Sequence, residues 1–246
     1  MPIADWHSVI AADRVLSADA TEELRDVGFI VIPGPVSPDR LSQFAEAYDS
    51  AVASASPADV RIGSSTTRVT DFVNRGPAFD GVYLYQPILD ASLSVIGRPF
   101  RLSTMHARTL RSGAKGDGLH VDFQSDADGW PMVGFIFMVD EFRSDNGATR
   151  FVPGSHRWST VPDEVLDSDV APHRGQLLAC GLAGSMIIYN GSAWHGHTAN
   201  TSDEPRRSLQ GAYIRREAPS GTNLAARMRP ETLERIGPFA KYLLAL

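Results

Sequence analysis

Residues 132–142 read MVGFIFMVDEF. The unbroken apolar part, Met132 to Val139, is about as long as a buried strand and far too short to cross a bilayer. Similar runs surround it: RLSTMHARTLR at 101–111, GQLLACGL at 175–182, GSMIIYNG at 184–191 and RRSLQGAYIRRE at 206–217. Each is short and apolar or alternating, and Gly, Pro, Asn and Asp break the chain between them. Strands at this spacing predict an antiparallel sandwich or jelly roll, with helices packed outside it. Those helices are expected in the first hundred residues. Asp19 and Glu22 have capping-box spacing, with Asp in place of Ser or Thr, and Gly28 stands just past the predicted end. A second helix opens at Ser37 with Pro38 in its first turn, and Leu41, Phe44, Ala45, Tyr48 and Val52 share a face. The turn-rich segment 158–174 reads as an insertion or lid, and the tail from Gly221 to Leu246 as a short helix.

Composition narrows the function classes. With 246 residues, 43% of them hydrophobic and 21% charged, the chain suits one soluble domain with a full core. A net charge of -6 and the lack of any basic run leave no electrostatic footprint for nucleic acid or anionic lipid. The expected partner is therefore a small molecule, neutral or modestly charged. The single cysteine, Cys180, excludes an internal disulfide, and the opening MPIADWHSVIAADR has neither a basic start nor an apolar export core. A cytoplasmic location is expected.

The chemistry-bearing residues begin with HVD at 120–122, which on a strand puts His120 and Asp122 on the same face. Alone the pair says little, because 7 His and 29 acidic residues among 246 make about 0.8 such pairs by chance. Its neighbourhood says more: Gly113, Gly116 and Gly118 precede it, and Trp130 and Pro131 follow, as at the mouth of a pocket. Two histidines and a carboxylate on one face of an iron leave three positions for cosubstrate and oxygen, the facial triad of non-haem Fe(II) oxygenases. The second histidine would come from His195, His197, His106, His156, His173 or His7. His195 follows the apolar run GSMIIYNG and sits in a glycine-containing corner, but His197 shares its parity, and the pattern leaves the two nearly even. Arg206 and Arg207 ask for an anion, since guanidinium grips a carboxylate through two parallel hydrogen bonds. On a strand only one of them points inward.

Three stretches resemble the phytanoyl-CoA dioxygenase family of iron- and 2-oxoglutarate-dependent oxygenases: LHVD at 119–122, DNGATRFVPGSHRW at 145–158 and WHGHTANTSDEPRRS at 194–208. The likeness runs from about Val27 to Arg216, with TRVTDFVNRGPAFD at 67–80 as a weaker part. It implies a mainly β fold with flanking helices, a cupin-like double-stranded β-helix or jelly roll. One domain is then expected over 1–246, with helical support at about 1–98 and a core at about 99–217. It also implies a choice between the histidines, because His195, Gly196 and Asn200 fit the family's H-G-x-x-x-N pattern. The ligand set becomes His120, Asp122 and His195 for Fe(II), with Arg206 for 2-oxoglutarate and Arg207 as fallback. Thr149 falls where related enzymes place a hydroxyl near the cosubstrate.

Further expectations follow from the resemblance. Asp117 stands where close members often have a Gln that helps to hold 2-oxoglutarate. Asp122 keeps the carboxylate that halogenating relatives lack, so hydroxylation or a related oxidation is implied, with O2 consumed and succinate and CO2 released. Arg68, Asn74, Phe123, Trp130 and His197 are candidate substrate contacts. Phe135 and His106 could face either pocket or core, and His156 in PGSH is expected to be structural. The implied role is oxidation of a small molecule in secondary metabolism. The rival readings are a cupin-like metal-dependent hydrolase or isomerase and a silent ligand-binding scaffold.

Overall fold

A computed structural model describes residues 4–246; the first three residues of the expected N-terminal support lie outside them. In chain order the elements are α1 (Ala4–Ala12), α2 (Ala18–Val27), β1 (Phe29–Pro33), α3 (Leu41–Ala53), β2 (Val60–Ile62), β3 (Thr66–Val69), α4 (Asp80–Tyr83), α5 (Gln86–Ile96), β4 (Phe100–Leu110) and β5 (Met132–Met138). Then come β6 (Thr149–Phe151), α6 (Pro162–Val165), β7 (Leu177–Ala179), β8 (Ser185–Asn190), β9 (His195–His197), β10 (Arg206–Arg215), α7 (Leu224–Arg227), α8 (Pro230–Arg235) and α9 (Pro238–Leu243).

Seven strands form one antiparallel sheet in the order β1-β8-β5-β10-β4-β3-β2, and β7-β6-β9 form a smaller one. This is the mainly β jelly roll with flanking helices that the short runs predict. MVGFIFMV is continuously apolar because both faces of β5 are covered. Val133, Phe135 and Phe137 meet the helices through Phe44, Ile88 and Leu89, whereas Ile136 and Met138 face Phe142, Phe151 and Tyr189 between the sheets. At about 25 cal/mol per Å² of apolar surface removed from water, burial on both sides makes this strand the backbone of the core. Along β4, Thr104 pairs with Ala212 but Leu102 with Tyr213, so Ser103 is the extra residue of a bulge. The bulge shifts the side-chain parity and leaves Thr104, His106 and Arg108 aimed between the sheets.

The helix ends differ from expectation in detail. Ser17, not Asp19, caps α2: its Oγ accepts from the Ala20 N–H at 3.1 Å, while Gly28 closes the helix at φ 94°. Both residues are competent caps, and the one outside the first turn is used. A 3-10 turn, Pro38–Arg40, leads into α3. The tail makes three short helices instead of one, because Pro230 and Pro238 lack the N–H needed to continue the preceding turn and each starts its own helix.

Segment 158–174, expected as an insertion or lid, lines no part of the central cavity in this structure. The buried Arg150 guanidinium straps it down, donating to the carbonyls of Ala171 and Asp169, each at 2.9 Å, and of Asp117. The Leu119 N–H adds a bond to Asp169 O at 2.9 Å. Among the described residues no helix is long and apolar enough to cross a membrane.

Candidate active site

Between the sheets lies a cavity of about 370 Å³, walled by β4, β5 and β10 on one side and by β9 and the HVD segment on the other. HVD is fastened to β9 by its backbone. The His120 N–H donates to His195 O at 2.9 Å and the His195 N–H returns to His120 O at 3.0 Å, while the Asp122 N–H reaches Gly191 O at 2.9 Å. Gly196 permits this approach, since a Cβ there would lie 2.7 Å from Gly118 O. HVD is not the strand expected but an isolated bridge at His120 followed by a bend, and it still brings His120, Asp122 and His195 together, with one ligand atom from each lying within 4.8 Å of the others.

The histidines are oriented for a ligand role. Nδ1 of His120 lies 2.9 Å from Gly118 O, and Nδ1 of His195 lies 2.9 Å from Ala193 O. A carbonyl only accepts, so each Nδ1 carries a proton and each Nε2 is the ring nitrogen left for a metal. Those Nε2 atoms face Asp122, at 3.9 Å from Oδ1 for His120 and 3.6 Å from Oδ2 for His195. Burial, above all, pushes the His195 pKa down and keeps the ring neutral. Burial works against ionisation of Asp122, but His195, the Tyr189 hydroxyl, His120 and Arg108 outweigh it and hold the carboxyl below its usual range. Two imidazoles whose Nδ1 atoms are turned to carbonyls, with a carboxylate, are a donor set that a divalent transition metal accepts.

Tyr189 is a site residue that the sequence reading passed over. Its Oη donates to Asp122 Oδ2 at 2.6 Å, and burial followed by Asp122 pushes its phenol well above 10, so it remains a donor. Gly134 lies opposite it on β5, and a Cβ there would collide with the Tyr189 ring. The signal was present: an isolated glycine inside MVGFIFMV marks a close approach.

The arginines separate by parity. Arg207 faces outward and is spent on Asp140 (Nη2 to Oδ1 2.7 Å) and Asp49 (Nη1 to Oδ2 2.7 Å). Arg206 faces the cavity, 2% exposed, with its guanidinium carbon 3.8 Å from the centre of the Phe142 ring. Its Nε and Nη1 are buried without a hydrogen-bond partner, and burial, then Arg108, pull its pKa down to about 9. Thr149 lines the same cavity and pairs with His197 across β6 and β9.

His197 lines the cavity without joining the ligand group. Its Nδ1 is 3.0 Å from Thr198 O, and burial lowers its pKa to about 4. Asp117 lies between the two, 3.5 Å from Arg108 and 3.8 Å from His197. Of the expected substrate contacts, Arg68 and Phe123 line the cavity, whereas Asn74 and Trp130 do not. The Asn74 amide donates to Asp71 Oδ1 at 2.7 Å and Arg227 O at 2.9 Å, so it fastens the C-terminal segment. Trp130 braces the PGSH turn by donating to His156 O at 2.9 Å. His156 itself is buried, with Nε2 3.0 Å from Arg25 O, and Phe135 belongs to the helix-side core. His106 reaches the cavity, and so does Arg108, which no sequence pattern singles out.

The family model of phytanoyl-CoA dioxygenase (PhyH) matches residues 24–208. This chain belongs to the phytanoyl-CoA dioxygenase family. As a member it is a dioxygenase, and the stretches that carried the resemblance lie on the cavity wall or on the turn beneath it. Dioxygenase af480 of Aspergillus fumigatus is 30% identical over 253 residues, 93% of this chain and 76% of that protein. Among solved structures, HygX from Streptomyces hygroscopicus with nickel and 2-oxoglutarate bound superposes with a TM-score of 0.69 at 17% identity, over 84% of this chain and 90% of that one. EctD from S. alaskensis with bound Fe gives 0.68 at 17% identity, over 82% and 78%. At these identities the likeness to solved structures speaks for the jelly-roll fold.

Proposed function

We propose that this phytanoyl-CoA dioxygenase family member is an Fe(II)- and 2-oxoglutarate-dependent oxygenase that oxidises an unactivated C–H bond of a small molecule. His120, Asp122 and His195 would hold the iron, and Arg206 the distal carboxylate of 2-oxoglutarate. The observation that carries the reading is the buried, unpartnered Arg206 guanidinium in the same cavity as the three converging ligands. A zinc hydrolase on those ligands would have no use for it. A desolvated cation costs several kcal/mol unless an anion meets it, and a dicarboxylate has one carboxylate for the metal and one for the arginine.

When bound, iron and 2-oxoglutarate together supply the oxidising power, consuming O2 and releasing succinate and CO2. The chain supplies orientation and exclusion. Gly118 O and Ala193 O fix the imidazole tautomers, the Tyr189 hydroxyl holds Asp122, and Phe142 backs the Arg206 plane. The Thr149 hydroxyl would face the cosubstrate from β6, and Phe123, Met132 and Ile136 supply an apolar part of the wall. The cavity volume suits a small-molecule substrate, and we place the enzyme in cytoplasmic secondary metabolism, where a single free Cys180 is at home.

Anaerobic titration with Fe(II) and then 2-oxoglutarate tests the proposal. A visible charge-transfer band should appear in the parent protein and in His197→Ala, and be absent from His195→Ala and Arg206→Ala. No band in iron-loaded parent protein would refute the cosubstrate assignment.

A further inference from the structure

The cavity holds more positive charge than iron and 2-oxoglutarate can use. Arg68 and Arg108 are register partners on β3 and β4, so two guanidiniums project from directly opposite positions into the same wall. Like charges so placed repel, and burial and then Arg68 lower the Arg108 pKa. Arg108 Nε is buried without a hydrogen-bond partner, and its one carboxylate contact, Asp117, is at 3.5 Å. Arg68 has no ion-pair partner among the described residues. The adjoining hollow is lined by Arg61, Arg68, Arg108 and Asp117, so cations dominate there too. Formal charges decide the matter. A dication, Asp122, Arg206 and a dicarboxylate sum to zero, whereas Arg68 and Arg108 face Asp117 alone, and one positive charge stays uncompensated.

We infer that the substrate is an organic oxyanion, a carboxylate or phosphate ester, whose charged end sits between Arg108 and Arg68 and whose apolar body lies against Phe123, Met132 and Ile214 toward the ligand triad. The neighbouring groups fit such a guest. His106 Nε2 is another buried cavity atom without a partner, and Gln210 stands across from His106 on β10. Guanidiniums on two adjacent strands form a forked donor surface that a planar carboxylate matches and a neutral amide does not. The inference rests on the proposed function for which end of the cavity reacts; the charge wall itself does not depend on it.

The test uses full-length protein loaded with Fe(II) and 2-oxoglutarate under argon, with calorimetry of matched probes. These are 2-naphthoate against 2-naphthamide, decanoate against decanamide, and 2-naphthyl phosphate against 2-naphthol. At least one anion should bind ten-fold or more tighter than its neutral partner. Arg108→Gln and Arg68→Gln should each weaken the anion at least ten-fold, with neutral-probe binding and the 2-oxoglutarate Kd changed less than two-fold. The better-bound member, naphthoate or naphthyl phosphate, names the source of the oxyanion. The inference is overturned if no anion outbinds its neutral partner, or if the preference survives in the double variant. It is likewise overturned if Arg108→Gln weakens 2-oxoglutarate as much as the anion, which would assign Arg108 to the cosubstrate. Recording the charge-transfer band of the same loaded samples separates a failed cosubstrate assignment, seen as a missing band with 2-oxoglutarate present, from a failed anion site, seen as a missing preference under an intact band.

Discussion

Replacing Arg206 with Met should make the cosubstrate-free protein more stable while destroying its use for 2-oxoglutarate. The guanidinium is 2% exposed, and burial first, then Arg108, bring its pKa far below the ordinary guanidinium range, down to about 9. At 1.36 kcal/mol per pH unit this is a penalty of about 5 kcal/mol on the charged form. The stacking contact with Phe142 at 3.8 Å returns about 1–2 kcal/mol, and a methionine packs the space less completely at a cost of about 1 kcal/mol. The net gain is about 2 kcal/mol, or a melting temperature about 4–8 °C higher for a chain of this size. The sign with pH is fixed. Folded and unfolded chains both carry the charge below about 9, so the penalty is full at pH 7, and it eases only above 9 as the folded form sheds its proton first. Thermal melts at pH 7 with and without 2-oxoglutarate, on iron-loaded protein, read both halves. At a hundred times its Kd the cosubstrate should stabilise the parent by about 2.7 kcal/mol and the variant not at all. A variant that melts below its parent, or that 2-oxoglutarate still protects, would refute the reasoning.

Other perturbations isolate other parts of the site. Tyr189→Phe removes the donor to Asp122 Oδ2 and should lower Fe(II) affinity about 10- to 100-fold, measured by competition with a chromogenic chelator; unchanged affinity would strip Tyr189 of its role. Gly196→Ala puts a Cβ 2.7 Å from Gly118 O and should part the HVD segment from β9, abolishing tight Fe(II) binding with a native far-UV spectrum; normal binding would show that the backbone yields. Arg207→Ala should cost about 1 kcal/mol in denaturant melts, through Asp140 and Asp49, and leave the 2-oxoglutarate band intact. Loss of the band there, with Arg206→Ala unaffected, would reverse the assignment of the pair.

How much of this was legible follows from the range of the interactions involved. β5 could be read because a strand covered on both faces needs apolar residues throughout, and β10 because RRSLQGAYIRRE alternates. The ligand parity of HVD and of HGH is a local fact. Which histidine meets Asp122 is not local, and there the family pattern decided what spacing left even. The bulge at Ser103 showed only as a slip of the apolar set from Phe100 and Leu102 to Met105 and Ala107, too short to fix a phase on either side, and with it went the direction of Arg108. Asn74 and Trp130 misled for a related reason. Both look like pocket residues beside glycines and arginines, but their hydrogen-bond partners, Arg227 and His156, lie 153 and 26 residues away. Tyr189 was missed because its clue, Gly134, sits on another strand.

The reciprocal main-chain bonds between His120 and His195 mean that sheet spacing, not a captured ion, sets how far apart two ligands stand. Such a socket is rigid before loading and has little means of rejecting the wrong guest. Nickel, copper and zinc prefer nitrogen and oxygen donors more strongly than ferrous iron does. Occupancy is then decided by what the cell, or a chelating purification column, offers first. If these residues hold iron as proposed, the fastened segments would leave the enzyme open to mismetallation, and its working fraction would track iron supply rather than any selectivity of its own.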